Sequence, residues 1–336
     1  MNSFGHHFRI TLFGASHTPV LGVSIEGCPA GVALDTGAFE VDLGRRKGGT
    51  VGTTSRVEPD VPHIETGCAN GYTTGEMITI VFENRNIFPN DYECFKAQPR
   101  PGHADWVARQ KYGDDYDLSG GGMFSGRMTL PLTAAGVVAK CLLRDRYPDI
   151  EISAKLLEVG GRVDVEAAVQ EVLDAGDSLG GLIECMATGL PVGWGEPFFD
   201  SVESVIGHLV FSIPGIKGVA FGDGFAAARM RGSAFNDCYI DAQGRTATNH
   251  AGGVNGGITN GNALVFRVAV KPTPSISRVQ ETFDFEENKM ASLEIKGRHD
   301  VCFALRLPVV VEGVTAVALA NLYFYDICGV VGERLP

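Results

Sequence analysis

Phe8-Arg-Ile-Thr-Leu-Phe13 is followed, after Gly14-Ala-Ser-His-Thr-Pro19, by Val20-Leu-Gly-Val-Ser-Ile-Glu26. Each run is short, rich in β-branched and apolar residues and bounded by turn formers, which predicts a strand. Two strands in direct succession point to antiparallel pairing rather than a strict alternation of strand and helix. Working outward, strand-like runs recur at Met77 to Phe82, Ile150 to Val159, Gly181 to Thr188, Val219 to Gly222 and Ala263 to Val270. Helical periodicity marks Phe39 to Arg46, Ala104 to Tyr112, Leu130 to Tyr147, Val165 to Ala175, Phe198 to Phe211 and Pro308 to Tyr325. Strands in clumps, separated by long helices, predict an α+β fold with antiparallel sheets.

No Pro/Ser/Gly-rich linker divides the chain, so a single domain over residues 1–336 is expected. Similar helix–strand groups on either side of about residue 150 hint at an internal duplication. Glycine is used heavily, 44 residues of 336, close to twice the average of about 7%. The glycines gather in loops at 44–52, 120–122 and 252–261, where backbone must turn sharply or approach a ligand closely. The long apolar run Leu307 to Tyr325 contains Glu312, Gly313 and Asn321, which makes it a core helix and not a membrane span.

Charged residues make up 20% of the chain and mean hydropathy is +0.07, values of a soluble globular protein. A net charge of -12 argues against a non-specific nucleic-acid binder. It leaves room for an anionic small molecule, because a few clustered arginines make a positive pocket inside an acidic protein. Met1-Asn-Ser-Phe-Gly-His-His lacks the basic and apolar regions of a signal peptide. The eight cysteines show neither paired spacing nor histidine partners, so a reduced, cytoplasmic set with no metal site is expected.

Chemistry concentrates in the loops. Arg100-Pro-Gly-His-Ala-Asp105 places a cation, an imidazole and a carboxylate on a rigid turn, suited to proton transfer beside an anion. Taken alone it reads more readily as a capped turn before a helix, and the similar clusters elsewhere in the chain favour the chemical reading. His17 sits in the small-residue loop after the first strand, a common address for catalytic groups. Arg45-Arg-Lys47 before Gly-Gly-Thr50 reads either as a basic helix end or as a phosphate clamp. Ser119-Gly-Gly-Gly-Met-Phe-Ser-Gly-Arg127, opening a helix, is an anion cradle but not a Walker loop. Asn249 to Gly261 reads as a glycine-rich ligand loop or as a set of tight turns, and Lys271-Pro-Thr-Pro-Ser275 adds a cation and two hydroxyls after a strand. Lys296-Gly-Arg-His-Asp300 and Arg231-Gly-Ser-Ala-Phe-Asn-Asp237 are further polar loops.

In their order and spacing these loops resemble those of chorismate synthases. The pieces that carry the resemblance are Arg100 to Asp105, Asn249-His-Ala-Gly-Gly253, Gly256-Gly-Ile258, Lys271-Pro-Thr273 and Gly297-Arg-His-Asp300, and it runs from Phe4 to about Asn321. The resemblance implies a β-α-β sandwich, usually a homotetramer. It implies 1,4-anti elimination of phosphate from 5-enolpyruvylshikimate 3-phosphate to give chorismate, requiring reduced FMN. The flavin would be reduced from outside, by an NADP-linked flavin reductase or another reductant. Partners would be a phosphorylated small molecule and copies of the chain, with neither nucleic acid nor membrane.

By the same resemblance, His17 protonates the departing phosphate, His103 protonates reduced flavin, and Asp300 lies by flavin N5. Arg45, Arg46, Arg100 and Arg127 hold substrate. Ser125, Phe235, Asn236, Gly256, Lys271, Pro272, Thr273, Pro274, Ser275 and Arg298 fall where the family contacts FMN. The family's Gly-Glu-Ser-His-Gly is here Gly14-Ala-Ser-His-Thr18, and its Arg-Ser-Ser-Ala-Arg-Glu-Thr is Met123-Phe-Ser-Gly-Arg-Met-Thr129. Thr50-Val-Gly52 stands where an arginine is usual. A divergent flavin-binding paralogue with another phosphorylated substrate, or a flavin binder without catalysis, is the alternative these departures raise.

Overall fold

The computed structural model describes residues 2–86, 89–295, 297 and 299–331, the side chains at 89–91 and 325–331 excepted. Arg9–Gly14 and Val20–Glu26 pair antiparallel as their succession predicts, with Phe13 opposite Gly22 and Ile10 opposite Ile25. They sit inside a five-stranded antiparallel sheet in the order Ser3–Phe4, Arg9–Gly14, Val20–Glu26, Ile78–Glu83, His63–Thr66. A second antiparallel sheet runs Ile216–Phe221, Leu264–Val270, Gly181–Thr188, Glu151–Val159.

Between the sheets lie two helices, Thr129–Arg146 against the first sheet and Pro308–Val331 against the second. The layers are therefore sheet, helix, helix, sheet. Both helices are apolar nearly all round because each is covered on one side by a sheet and on the other by its neighbour. Their closest approach is at two glycines. A Cβ on Gly136 would lie 2.3 Å from the Gly313 Cα, so no other residue fits without driving the helices apart. One continuous core joins both halves of the chain, from Phe8 and Leu21 through Leu130 and Val138 to Ile183, Phe266 and Val314.

One charged cluster interrupts this core. Glu312 accepts both guanidinium nitrogens of Arg45 at 2.7 Å, Lys140 Nζ at 3.1 Å and the Ala154 amide at 2.9 Å. Lys140 also reaches Asp42 at 2.7 Å. Burial works against the Glu312 charge, but these donors outweigh it and keep the carboxyl below its usual range.

The long helix expected over Pro308 to Tyr325 begins at Pro308, the favoured first position, and runs six residues further, to Val331. No helix among the described residues is long and apolar enough to cross a membrane. The hairpin Gln280–Asp284 with Lys289–Leu293 has no counterpart among the predicted strands. It clamps the chain before Arg100: Thr282 Oγ1 donates to the Pro99 carbonyl at 2.7 Å, and Gln98 Nε2 to Asp284 Oδ2 at 2.8 Å. Trp106 stacks on Phe285 at 4.0 Å just beyond the turn.

Candidate active site

The loops at one end of the sandwich enclose a cleft of about 600 Å³, well inside the usual size of a small-molecule site. Its described lining carries eight cations, Arg46, Lys47, Arg56, Arg100, Arg127, Lys217, Lys271 and Arg306, against three carboxylates, Glu58, Asp60 and Asp300. The acidic chain thus builds a positive pocket.

Arg100-Pro-Gly-His103 is a β-turn with Pro at the second position and Gly102 at φ +71°, the type II signature. It folds three side chains together. Arg100 Nε and Nη2 donate to Asp105 Oδ2 and Oδ1 at 2.8 Å, and Nη1 to Ser275 Oγ at 3.2 Å. His103 Nδ1 lies 2.6 Å from Asp105 Oδ1 and 3.1 Å from Arg100 Nη2; the carboxylate favours a proton on Nδ1, with Nε2 toward the backbone of Gly121. Burial lowers the His103 pKa, and the Arg100 guanidinium adds to this against the pull of Asp105. The neutral imidazole is thereby favoured. Burial opposes the charge of Asp105, but Arg100 and His103 hold its carboxyl far below the usual range.

Opposite stands a pair of arginines. Arg46 ends the helix Thr36–Arg46, and Arg127 lies in the turn before the helix starting at Thr129. Both are almost fully buried, and both bind Asp60: Arg46 Nη2 to Oδ2 at 2.6 Å, and Arg127 Nη1 to Oδ1. Arg127 Nε also donates to Asn84 Oδ1 at 3.0 Å. Burial, with Arg306 and Arg127 nearby, pulls the Arg46 pKa down to about 10 despite Asp60.

Asp300 is held on both oxygens. Arg306 Nε and Nη2 donate to it at 3.0 and 2.8 Å, and the Thr54 amide at 3.0 Å. The Arg306 guanidinium lies 4.8 Å over the Phe303 ring. The cradle Ser119–Phe124 is a 3-10 segment whose three glycines all have positive φ. Gly120 packs so closely that a Cβ there would be 2.1 Å from the His17 ring. His17 lies edge-on to Tyr92 with Nδ1 3.2 Å from Ser16 Oγ, and Arg56 anchors Ser16 through both its Oγ and carbonyl at 3.1 Å.

Of the residues singled out in the sequence, Arg46, Arg100, His103, Ser125, Arg127, Lys271 to Ser275 and Asp300 meet in this cleft. His17 stands behind Gly120 at its edge. Arg45, expected to hold substrate, is not in this lining: its guanidinium binds Glu312 in the core cluster. Phe235, Asn236 and Gly256 are also outside the cleft of a single chain. The Asn249 loop turns on its own backbone, with the His250 and Ala251 amides on Asp237 at 2.8 and 3.0 Å, so here the tight-turn reading describes it. Arg298 lies outside the described residues. Arg56, Glu58, Asp60, Lys217 and Arg306 are the charged residues the sequence reading passed over. A carboxylate two or four residues from Arg56 was the available signal, but it has no distinctive spacing. Met123 and Phe124 line the cleft where the family carries arginine and serine.

The cleft has donors left over. Among the described residues, Arg46 Nε, Arg127 Nη2 and Thr273 Oγ1 are buried with no partner, an arrangement that costs free energy. Unanswered guanidinium groups and hydroxyls in a positive pocket fit phosphate-bearing ligands, a flavin mononucleotide included. The seven described cysteines are free thiols, and no group of residues suited to a metal ion exists among the described residues.

The chorismate synthase family model matches residues 8–324. The chain belongs to the chorismate synthase family. It is 56% identical to the chorismate synthase of Chitinophaga pinensis over 97% of both chains. Identity to that of Dehalococcoides mccartyi is 42%, covering 96% of both, and to that of Korarchaeum cryptofilum 42%, covering 95% of this chain and 96% of the other. A solved crystal structure of a chorismate synthase shares the fold with a TM-score of 0.74 at 24% identity, covering 96% of this chain and 93% of that chain. As a member of this family the chain is a lyase acting on a phosphate-bearing substrate. Similarity of this extent leaves the reading as a non-catalytic or differently specific paralogue without support.

Proposed function

We propose that the cleft eliminates phosphate from 5-enolpyruvylshikimate 3-phosphate to give chorismate, with reduced FMN bound beside the substrate. The observation that carries this reading is the pair of buried arginines joined by Asp60 that line a positive cleft, together with the imidazole of His103 beside Asp105.

In the elimination, the ring C–O bond to phosphate and one ring C–H bond break and a C=C bond forms. The leaving group departs as an anion. Arg46 and Arg127 meet that charge where it develops, in a site with little water to screen it. His17 delivers a proton to the departing phosphate. Reduced FMN, when bound, would lend an electron to the substrate as phosphate leaves and take it back with the ring hydrogen, so that there is no net redox change. Ser125 and Lys271, Thr273 and Ser275 would hold it, the last tied to Arg100. His103 keeps one proton on Nδ1 against Asp105 and exchanges the other at Nε2. Arg306 and the Thr54 amide hold the Asp300 carboxylate at its place in the cleft. The working form is a cytoplasmic homotetramer supplied with reduced flavin by an external reductase.

Titration of oxidised FMN followed by flavin fluorescence tests the binding part of this reading. Saturable quenching at one flavin per chain, tightened when the enolpyruvyl ester is present, is expected. Quenching that the ester abolishes would mean the two compete for one place, against the proposal.

A further inference from the structure

We propose that Asp60 is the positioning residue of the phosphate subsite, one buried carboxylate that fixes Arg46 and Arg127 in a shared orientation toward the substrate's anion. The inference rests on the reading of the cleft given above and deepens it.

Arg46 and Arg127 come from elements far apart in the chain, a helix end and the approach to another helix. Bringing two guanidinium groups together out of water is unfavourable through both desolvation and mutual repulsion. Asp60 is what joins them: Oδ2 takes Arg46 Nη2 at 2.6 Å and Oδ1 takes Arg127 Nη1. Its side chain is 1% exposed. Burial alone would raise its pKa, but the two arginines outweigh that and keep it ionised.

The backbone at Asp60 is itself unusual, with φ +54°. A non-glycine residue in the left-handed region is uncommon, is tolerated best by Asp and Asn, and is found where surrounding structure over-determines it. This conformation turns the carboxylate inward. The residues just before it are held in place, Pro59 by Lys47 Nζ on its carbonyl at 2.6 Å and Glu58 by accepting from Arg56 at 2.9 Å and from the amides of Arg85 and Asn86, each at 3.1 Å.

One carboxylate shared by two guanidinium groups leaves a surplus positive charge. It also leaves Arg46 Nε and Arg127 Nη2 without acceptors. A lone structural ion pair would have no such surplus. Asp60 thus orders the two cleft-lining arginines without neutralising both, and the surplus charge is what an oxyanion in the cleft would meet.

The test compares wild type with Asp60→Asn, which suits the left-handed backbone, removes the charge and turns one of the two acceptor oxygens into a donor. Binding of 5-enolpyruvylshikimate 3-phosphate and of inorganic phosphate is measured by calorimetry without flavin, oxidised FMN binding by fluorescence, and fold by circular dichroism. The expected result is at least a tenfold loss of ester affinity and a matching rise in KM, with FMN affinity changed less than threefold. A folded variant that binds the ester within threefold of wild type, or loses ester and FMN equally, overturns the proposal. If Asp60→Asn does not fold, Asp60→Glu keeps the charge and displaces the carboxylate by one methylene. The same selective loss is expected of it, and wild-type ester affinity would overturn the proposal. Wild type that binds phosphate but not the ester would refute the substrate reading instead, and the Asp60 comparison would then be read on phosphate.

Discussion

His103 Nδ1 and Asp105 Oδ1 stand 2.6 Å apart, so the imidazole is oriented before any ligand arrives. The same carboxylate binds Arg100 at two nitrogens, and the turn that carries all three is clamped from behind by the hairpin Gln280–Asp284 with Lys289–Leu293. Substitution His103→Ala should lower turnover about 10²-fold, the ordinary scale for a lost proton carrier, without altering the circular dichroism spectrum. Steady-state rates within threefold of wild type would remove His103 from the chemistry.

The buried imidazoles also set a pH dependence of stability. Burial lowers the pKa of both His103 and His299, each with Arg100 adding to the effect. In the unfolded chain both return to about 6.5, so there they take up protons first as pH falls. Stability is accordingly complete above that value and declines as pH drops below it. Melting temperatures between pH 7.5 and 5.5 should show this decline, and the double variant His103→Gln with His299→Gln should flatten it. A flat profile in wild type would contradict the assignment.

Arg45 lies next to Arg46 in sequence but serves the core. Replacing Arg45 with Met leaves Glu312 with Lys140 as its remaining cation. Because the Arg45 side chain is 42% exposed, the loss should be modest, about 1–2 kcal/mol of stability in denaturant unfolding. The kcat/KM value should stay within threefold. A selective rise in KM of tenfold or more would return Arg45 to the substrate.

Gly136→Ala tests the helix pair. Its Cβ would meet the Gly313 backbone at 2.3 Å, where neither helix has a flexible side chain to move aside. Overpacking of this kind costs about 1–3 kcal/mol or more, visible as a lower melting temperature. Unchanged stability would show that the two helices can separate freely.

How much of this was legible in the sequence depended on which physical signal each part leaves. Val20–Glu26 and Gly181–Thr188 fall on their expected bounds because branched apolar runs between turn residues have few other solutions. The polar hairpin Gln280–Asp284 with Lys289–Leu293 left no such signal, since it covers only the small cluster of Phe95, Leu293 and Ile295. In the cleft, the Arg100 turn was readable because Pro, Gly, His and Asp act within six residues. Asp60 and Arg306 were not, because their partners Arg127 and Asp300 are chosen by tertiary packing. Arg45 and Arg46 are neighbours that a helix end points in different directions, one to Glu312 and one to Asp60.

The most direct test of the account is anaerobic turnover of 5-enolpyruvylshikimate 3-phosphate with photoreduced FMN, following chorismate absorbance and phosphate release together. The account predicts equal amounts of both products, over many turnovers per flavin, and none with oxidised FMN alone. Tight flavin binding with no release of phosphate would contradict it.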